Sequence, residues 1–389
     1  MKVPLPILAR LARDAPDLLA AILRDSLRGR YAARFDYHRR GGRACLPRYV
    51  FIKLTNRCNL RCAMCGQWGT RGTAREMSPA ELHQVLPVAV LKRLIDEVST
   101  WGALLYLWGG EPFLYPHLVE LLEHLQRRRV VCGINTNGTY LWRYAEDLVR
   151  CGVANLFVSL DGPREIHDAV RGRRGTFDLL VRGIERVQAL KAAGSNGRKA
   201  RPFITIVATV SETNCRHLEG VYEVAARLRA DFVGLQFSTF TDKAHGEAHE
   251  ALMRQHLASE ARSWRGFVSD TSGIDVAAVQ RAVADVRARR HPFATYFLPR
   301  LRTDQMPVYY RDLDQTFGRR RCVVPWVRAD VSPAGNVSVC SDFPDYVAGN
   351  IKEQTLRTIW NGQRMRRFRK VARKGLFPIC SRCCALYQY

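Results

Sequence analysis

The chain has 389 residues, a formal net charge of +25 at neutral pH and 12 cysteines. This length allows two or three domains with sizeable cores, and no apolar stretch reaches the ~20 residues of a membrane span. The first residues do not form a secretory signal, so clustered cysteines favour metal sites in a cytoplasmic protein. The positive charge predicts an anionic partner, although arginine-rich usage alone would give the same charge.

Residues 1–48 begin with apolar positions at helical spacing. These positions recur from Leu5 to Leu27, and arginines gather at the end of the run, where they suit the helix dipole. A basic amphipathic segment over residues 1–30 either packs its apolar stripe on the domain behind it or lies on an anionic membrane. Packing is the commoner outcome, so we expect a cytoplasmic protein in which peripheral membrane contact stays an alternative. Residues 31–48 have the composition of a basic linker.

The first strand-like run, Tyr49 to Thr55, is followed at once by Cys58, Cys62 and Cys65. Three thiols at this spacing can bind three irons of a 4Fe–4S cluster, because sulfur is a preferred ligand of such iron. The fourth iron stays open, whereas an electron-transfer cluster or a structural zinc site usually has four protein ligands. The loop therefore predicts a cluster with an exogenous ligand, and a zinc knuckle is the alternative.

This CxxxCxxC loop after a first strand resembles that of the radical S-adenosylmethionine (SAM) superfamily. The resemblance implies that SAM binds the open iron and is cleaved reductively, and that the resulting 5′-deoxyadenosyl radical abstracts hydrogen from a substrate. The residue before the third cysteine is Met64, where the family often has an aromatic residue beside the adenine. A thioether can pack on that ring, so this difference affects adenine placement rather than the cluster.

Strand-like and helix-like segments alternate from residue 49 to about residue 240. After the first strand, strands are predicted over 103–108, 130–134, 153–160, 203–210 and 232–237, and helices over 78–98, 117–128, 140–150, 177–193 and 216–229. Six strands separated by helices imply an α/β fold with a parallel sheet and right-handed crossovers. The resemblance narrows this fold to a partial (β/α)6 TIM-like barrel, whose chemistry lies at the carboxyl ends of the strands.

Polar motifs follow several of the predicted strands. Two glycines after the second strand permit close backbone approach to a ligand, and their motif resembles the GGEP motif that binds the SAM amino group. The segment after the fourth strand resembles that of the SPASM/twitch subgroup, in which polar residues contact the SAM ribose and carboxylate. Residues 212–214 could reach the adenosine, and His167 is expected to be structural. The candidates for SAM binding are Gly109, Gly110, Glu111, Pro112, Asn135, Ser159, Asp161 and Arg171.

Residues 241–320 are predicted to be a helical bridge between the barrel, residues 49–240, and a C-terminal domain, residues 321–389. Helical spacing recurs around 247–265 and 275–289. Prolines then interrupt the pattern at positions 292, 299 and 307, which predicts irregular structure there.

A second group of cysteines lies in the C-terminal domain. Cys322 and Cys340 flank a predicted β-hairpin, and Cys380 and Cys383 form a CxxC pair. Four thiolates can close a second 4Fe–4S cluster completely, and structural zinc is the alternative. The arrangement resembles the auxiliary-cluster domain of the SPASM/twitch subgroup, in its shorter twitch form with one cluster. Cys384 can replace Cys383 as a ligand.

The sequence therefore predicts a radical SAM oxidoreductase whose cofactors are SAM and two 4Fe–4S clusters. A fully ligated auxiliary cluster would accept the electron that a substrate radical loses, which makes the net reaction an oxidation. The predicted partners are a small anionic molecule or a peptide as substrate, and a flavodoxin- or ferredoxin-type reductant. The alternatives are a ribosomal-peptide-maturing radical SAM enzyme and a zinc-stabilised nucleic-acid-binding protein, although no nucleic-acid-binding module is visible. No catalytic side chain is identified.

Overall fold

The computed structural model describes residues 8, 11–13, 16–39, 41–194 and 201–388. The apolar positions expected before residue 8, including Leu5, lie outside the described residues. Helix α1, Pro16–Arg34, is the first complete element. None of the helices in the described part of the chain is long and apolar enough to cross a bilayer.

One ten-stranded sheet carries the fold. Its strands are β1 Tyr49–Lys53, β2 Leu104–Trp108, β3 Cys132–Thr136, β4 Asn155–Ser159, β5 Phe203–Thr209, β6 Phe232–Gln236, β7 Ala294–Leu298, β8 Arg328–Val331, β9 Asn336–Ser338 and β10 Val347–Asn350. Their order is β10-β9-β8-β1-β2-β3-β4-β5-β6-β7. Strands β1 to β7 pair in parallel with their neighbours. The predicted parallel α/β fold is confirmed.

Helices connect these strands and cover the outer face of the sheet. They are α2 Pro79–His83, α3 Val88–Ser99, α4 Leu118–Arg127, α5 Leu141–Arg150, α6 Arg164–Arg171, α7 Thr176–Gly194, α8 Leu218–Arg227, α9 Lys243–Leu257, α10 Val276–Ala288, α11 Gln305–Arg311, α12 Leu356–Trp360 and α13 Gln363–Ala372. The single helix expected over 78–98 is two helices, because Pro87 lies at the start of α3. The capping box between Ser78 and Glu81 begins α2 as predicted.

The sheet has more parallel strands than the six expected. Residues 294–298 form β7, which pairs with β6, whereas the prolines predicted irregular structure there. Pro292 and Pro299 lie outside the two ends of this strand. A proline there lacks a backbone N–H, but it takes no hydrogen bond away from the pairing of β7 with β6. Strand β8 also pairs in parallel with β1 on its other side, and β9 and β10 continue as antiparallel strands. The predicted hairpin around residues 333–336 is therefore present.

The two faces of the parallel sheet differ in accessibility. In β1, β2 and β4, residues under the helices are buried, and the alternate residues on the inner face remain partly accessible. The inner face carries Phe51, Tyr106 and Phe157, whose successive ring centroids lie 4.5 and 5.3 Å apart. We call the space bounded by the inner face of β1 to β4 the lumen. Its accessible walls indicate a cavity rather than a filled core.

Candidate active site

The first cysteine group lies in the loop that leaves the carboxyl end of β1. The Leu60 N–H donates to the sulfur of Cys58 at 3.4 Å, and the Cys65 N–H donates to the Cys62 carbonyl at 3.1 Å. Burial is the main reason that the pKa of Cys58 is raised to about 12, with smaller contributions from negative charge on Glu111, Cys62 and Cys65. The three thiols are therefore neighbours in a desolvated loop, where binding to iron would replace their protons. This donor set fits three irons of a 4Fe–4S cluster.

The two glycines after β2 bring that loop against the second strand. The N–H of Gly110 donates to the Thr55 carbonyl at 2.9 Å, and the Glu111 N–H donates to the Arg57 carbonyl at 2.8 Å. A Cβ atom at Gly110 would lie 2.1 Å from the Arg57 carbonyl oxygen. The sequence predicts that these glycines allow close approach to a ligand. In the structure they instead allow the end of β2 to approach the backbone of the cysteine loop. Pro112 is buried and begins a short 3-10 helix.

Glu111 joins the ends of β2 and β3. Its carboxylate accepts hydrogen bonds from Thr136 Oγ1 at 2.8 Å, from the Asn137 N–H at 2.9 Å and from the Phe113 N–H at 3.2 Å. Burial raises the pKa of Glu111 to about 7, against the effect of these donors. Both carboxylate oxygens are engaged by this chain, so the structure supports a positioning role for Glu111 next to the predicted SAM site.

Asn137 is a site residue that the sequence candidates do not include. Its amide nitrogen lies 3.9 Å from the sulfur of Cys58 and donates to Asn59 Oδ1 at 2.9 Å. Its side-chain oxygen accepts from the N–H and hydroxyl of Thr139. The Asn-Gly pair after β3 was the available signal, but it is equally typical of an ordinary turn. Asn137 therefore holds the cysteine loop from the neighbouring strand.

Asp161 and Arg171 form a buried ion pair that reaches Cys62. Arg171 Nη2 lies 2.5 Å from Asp161 Oδ2, and Nη1 lies 3.8 Å from the sulfur of Cys62. Arg171 is only 8 % exposed, which excludes the simple surface charge that the end of a helix would otherwise suggest. Burial raises the pKa of Asp161, and the charge of Arg171 opposes this shift. The pair places a fixed positive charge beside a predicted cluster ligand.

Two further side chains near this pair are structural. His167 Nδ1 accepts from the Asp161 N–H at 3.3 Å, and burial lowers the pKa of His167 to about 3. Asn214 donates to the carbonyls of Asp161 and Thr209 at 3.0 and 2.9 Å. Its oxygen accepts from Ser211. Asn214 therefore joins the ends of β4 and β5. Its side-chain amide is used in these hydrogen bonds rather than in the adenosine contact predicted for residues 212–214.

Asn135 and Ser159 lie on the lumen side of β3 and β4. Both are partly accessible, and neither side chain has a hydrogen-bond partner within the described ranges. In the sheet register, Asn135 lies opposite Phe157 and Ser159 lies opposite Val207. Of the predicted SAM contacts, these two are the polar side chains that remain open to a ligand.

Lys53, the last residue of β1, adds a cation that the sequence candidates also lack. Its ammonium group lies 5.6 Å from the centre of the Trp108 ring, and within the described chain it has no ion pair or hydrogen bond. Burial lowers the pKa of Lys53 to about 8, although negative charge on Cys65 favours the charged form. A desolvated cation without a carboxylate partner is costly, so this position suits the binding of an anionic group.

The second cysteine group is brought together by the C-terminal strands and 3-10 helices. The thiols of Cys340 and Cys383 form a hydrogen bond, which raises the pKa of Cys340 more than burial does. Burial raises the pKa of Cys322 to about 11, with a smaller contribution from Cys340. The pKa of Cys380 is raised by burial and by the charges on Cys322 and Cys340. Four neighbouring thiols, of which Cys383 is buried and the other three are partly buried, fit a second, fully ligated 4Fe–4S cluster. Cys384 contacts Cys383 through a further side-chain hydrogen bond.

Neither cysteine group forms a site for a single metal ion among the described residues. In the described part of the chain, no three His, Cys, Asp or Glu side chains form a group that could hold one metal ion. The cysteines are thus assigned to clusters because thiolates are preferred ligands of iron–sulfur clusters and because three and four of them lie close together.

The two cysteine groups lie at opposite ends of β1. The N–H groups of Arg48 and Tyr49 both donate to the carbonyl of Val327, just before β8, at 2.8 and 3.1 Å. Cys322 precedes β8 and Cys340 follows the antiparallel β9, so both lie near the start of β1. The Arg328 guanidinium lies 4.6 Å from the centre of the Phe51 ring, next to the lumen. The lumen therefore extends from one cysteine group toward the other.

A cleft of about 470 Å³ opens beside the first cysteine group. Met64 and Cys65 line one side, and the segment after β6 lines the other. Asp242 and Asp270 contribute carboxylates, and Arg71 contributes a cation. The cleft provides access to the cysteine loop from outside the lumen.

Comparisons with known proteins find one domain match around each cysteine group. Residues 52–198 match the radical SAM superfamily, and residues 322–384 match the SPASM iron-sulfur cluster-binding domain. The chain is 29% identical over 360 residues to the AdoMet-dependent heme synthase of Methanosarcina barkeri, covering 86% of this chain and 88% of that protein. It is 30% identical over 177 residues to the Fe-coproporphyrin III synthase of the same organism, covering 45% and 40%.

Other relatives cover most of this chain at lower identity. The subtilosin biosynthesis protein AlbA of Bacillus subtilis is 24% identical over 321 residues, which cover 81% of this chain and 60% of that protein. The chain thus spans less than two thirds of AlbA and of the Fe-coproporphyrin III synthase. Streptococcus suis SuiB bound to S-adenosylmethionine superposes with a TM-score of 0.56 at 14% identity, over 81% of this chain and 66% of that one.

A second structural relative shows the same architecture. The anSMEcpe structure with bound AdoMet has a TM-score of 0.54 at 18% identity and covers 84% of this chain and 80% of that one. At these identities the likeness shows the fold alone. The two family matches give SAM and iron–sulfur clusters, rather than zinc, as the cofactors. The chain therefore belongs to the radical SAM superfamily, in its SPASM/twitch subgroup.

Proposed function

We propose that this radical SAM enzyme is an oxidoreductase that removes a hydrogen atom and then one electron from its substrate. When bound, the first cluster supplies the electron that cleaves SAM to the 5′-deoxyadenosyl radical, and the auxiliary cluster supplies the acceptor for the substrate's electron. The supporting observation is the arrangement along β1, a five-residue strand on the order of 15 Å long. The first cysteine group follows the carboxyl end of β1, and the second lies near its start. The inner face of β1 lines the lumen between the two groups.

The residues have distinct roles in this proposal. Cys58, Cys62 and Cys65 hold the SAM cluster, and Asn137 and Arg171 orient their loop through contacts with sulfur. Gly109, Gly110 and Glu111 fix the end of β2 against this loop. Asn135 and Ser159 are free to contact SAM from the lumen face. The auxiliary cluster is held by Cys322, Cys340, Cys380 and Cys383, with Cys384 as a substitute for Cys383.

Iron and acid-labile sulfide analysis of anaerobically reconstituted protein tests the two-cluster assignment. We expect about eight irons per chain, and about four after replacement of either cysteine group by alanine. Reductive SAM cleavage should disappear when Cys58, Cys62 and Cys65 are replaced, and it should persist when the auxiliary cysteines are replaced. SAM cleavage that consumes substrate without a two-electron-oxidised product would contradict the oxidoreductase assignment.

For the substrate class we propose a small molecule with an anionic group. Lys53 supports this choice because its ammonium group lies at the lumen face, next to the SAM cluster, without a partner of its own. One relative that matches over most of both chains is a heme synthase, and porphyrins of this type carry carboxylate side chains. The other synthase is named for Fe-coproporphyrin III, and this is the compound that we would examine first.

Formation of 5′-deoxyadenosine with and without added compound tests the substrate class. We expect Fe-coproporphyrin III or another polycarboxylate to stimulate the wild type, and Lys53→Gln to raise KM strongly while SAM cleavage without substrate is unchanged. Lys53→Arg keeps the charge and is the matched control. If Lys53→Gln instead weakens SAM binding, then the lysine binds the SAM carboxylate and the assignment to substrate is wrong.

A peptide substrate is the second candidate. AlbA acts in bacteriocin biosynthesis, and the cleft beside Cys65 offers the carboxylates of Asp242 and Asp270 to basic side chains. Stimulation of SAM cleavage by basic peptides, with loss of this effect in Asp242→Asn but not in Lys53→Gln, would favour this candidate. For the reductant we propose an acidic flavodoxin or ferredoxin, since the chain carries a net charge of +25.

A further inference from the structure

Helix α1 uses one of its faces to pack on the barrel. Leu18, Leu19 and Ile22 are partly buried and pack in a small cluster with Leu11, Phe203 and Phe232. Arg28 also donates from this helix to the Trp101 carbonyl at 2.9 Å. The helix is therefore anchored to the protein, as the packing alternative predicts.

A second apolar face of the same region is left exposed by the residues that the structure describes. Leu23, Leu27, Tyr31 and Phe35 are 49, 68, 40 and 55 % exposed. We call these four residues the α1 stripe. Their four-residue spacing keeps them on one side of the helix, and the Tyr31 and Phe35 rings lie 4.8 Å apart. Among the described residues, the other large apolar side chain of comparable exposure is Val308.

Cations accompany the α1 stripe. Arg24, Arg30 and Arg34 are exposed on the same helix, whereas the carboxylate of Asp36 is buried and paired with Arg39 at 3.2 Å. Long arginine side chains can lie along an apolar surface while their charged ends reach outward. The exposed face therefore combines large apolar side chains with positive charge.

A second basic helix lies next to this region. Arg366 of α13 donates to the Gly41 carbonyl at 2.9 Å, and Arg373, just after this helix, donates to the Arg39 carbonyl at 3.1 Å. The exposed residues of α13 include Arg364, Arg367 and Lys370. The positive charge around the end of α1 is thus larger than that of α1 alone.

We propose that the α1 stripe and its arginines bind the surface of an anionic lipid bilayer. Such a surface offers both an apolar phase for the stripe and negative headgroups for the arginines. A second copy of this chain is a poorer occupant, because a two-fold contact through this face would bring the arginines of α1 against the same arginines. The packed face of α1 holds the stripe outward while the barrel stays in water.

Sedimentation of the full-length, cluster-loaded protein with lipid vesicles tests this proposal. We expect binding to vesicles of phosphatidylcholine mixed with phosphatidylglycerol, weaker binding to pure phosphatidylcholine, and a decrease with salt. Replacement of the four stripe residues by serine should weaken partitioning by roughly tenfold or more, because binding scales with buried apolar area. Arg24, Arg30 and Arg34 replaced together by glutamine should lose the preference for anionic lipid.

Val308→Ser is the matched control, since it removes an exposed apolar side chain elsewhere and should leave vesicle binding unchanged. SAM cleavage without substrate, measured in parallel, should be unchanged in all of these variants and shows that they are folded. A wild-type protein that stays in the supernatant with anionic vesicles would overturn the proposal. So would stripe variants that still bind, or a stripe whose removal abolishes only self-association or the binding of an acidic protein.

Discussion

Arg171 extends from the end of α6 to the sulfur of Cys62, and Asp161 fixes its position. Both side chains are buried, so each charge is stabilised by the other rather than by water. The positive charge of Arg171 also favours the thiolate form of Cys62, which is a proposed cluster ligand. One ion pair thus contributes both to the stability of the barrel mouth and to the electrostatics of the SAM site.

Replacement of Arg171 by glutamine should strongly destabilise the protein, because it leaves the buried Asp161 carboxylate without its partner. Breaking a buried pair in this way typically costs about 3 to 5 kcal/mol. The measurement is the midpoint of anaerobic thermal unfolding. The double variant Asp161→Asn with Arg171→Gln removes both charges and should recover part of the loss. A double variant no more stable than Arg171→Gln would show that charge burial is not the cause.

Glu111 gives a pH dependence whose sign follows from its burial. Its pKa rises from 4.5 to about 7 in the folded protein, so the folded state retains a proton that the unfolded state releases. The stabilisation from this proton is complete below about pH 4.5 and is lost as pH rises through 7.

The difference in unfolding midpoint between wild type and Glu111→Gln should therefore shrink between pH 5 and 8. Glutamine cannot titrate, so its own midpoint provides the baseline for all other groups. A difference that is constant or grows with pH would show that the donors of Thr136, Asn137 and Phe113 keep Glu111 ionised at pH 5.

At the scale of elements, the loop between β1 and α2 depends on close contact with the end of β2. The contact leaves no space for a side chain at Gly110, since a Cβ atom would overlap the Arg57 carbonyl. The loop that carries the three SAM-cluster cysteines is therefore shaped by a neighbouring strand as well as by its own sequence.

Gly110→Ala should lose the SAM cluster and retain the auxiliary cluster. We expect iron to fall from about eight to about four per chain, with loss of SAM cleavage. Gly194→Ala is the matched control, because nothing lies within 4 Å of a Cβ atom at that position. Full iron content and normal SAM cleavage in Gly110→Ala would contradict the steric argument.

The sequence predicts those elements whose signals are local. The three cysteines after β1 and the glycines after β2 could be placed because spacing and strand order are readable along the chain. Residues 294–298 could not be predicted as β7. Prolines such as Pro292 and Pro299 occur both in irregular segments and just outside the ends of a strand, so they do not distinguish the two. Lys53 gave no signal either, since its isolation depends on which side chains the fold brings around it.

Nonlocal pairing was likewise invisible. Nothing in residues 328–331 indicates that β8 would pair with β1, although the hairpin that contains β8 could be recognised. The expected division at residue 321 places the C-terminal cysteines in a small domain of their own. In the structure, β8 to β10 continue the barrel sheet through this pairing.

For the whole molecule, this shared sheet predicts one cooperative unfolding unit for residues 49–388. Loss of β8 to β10 would expose an edge of β1 and one end of the lumen. Far-UV circular dichroism and the visible absorption of both clusters should therefore change at one temperature. Replacement of the four auxiliary cysteines by alanine should lower the midpoint of both signals together. An auxiliary region that melts separately, with the SAM cluster intact, would favour two independent domains.

The pairing of β1 with β8 has a consequence for biosynthesis. On the ribosome, β1 and the proposed ligands Cys58, Cys62 and Cys65 emerge early, whereas residue 328 follows only after seven strands have been made. Until then one edge of β1 is unpaired and the growing barrel is open at its base. Docking of β8 then pairs that edge of β1 and closes the base of the barrel. The same step brings Cys322 and, through the hairpin, Cys340 to the start of β1.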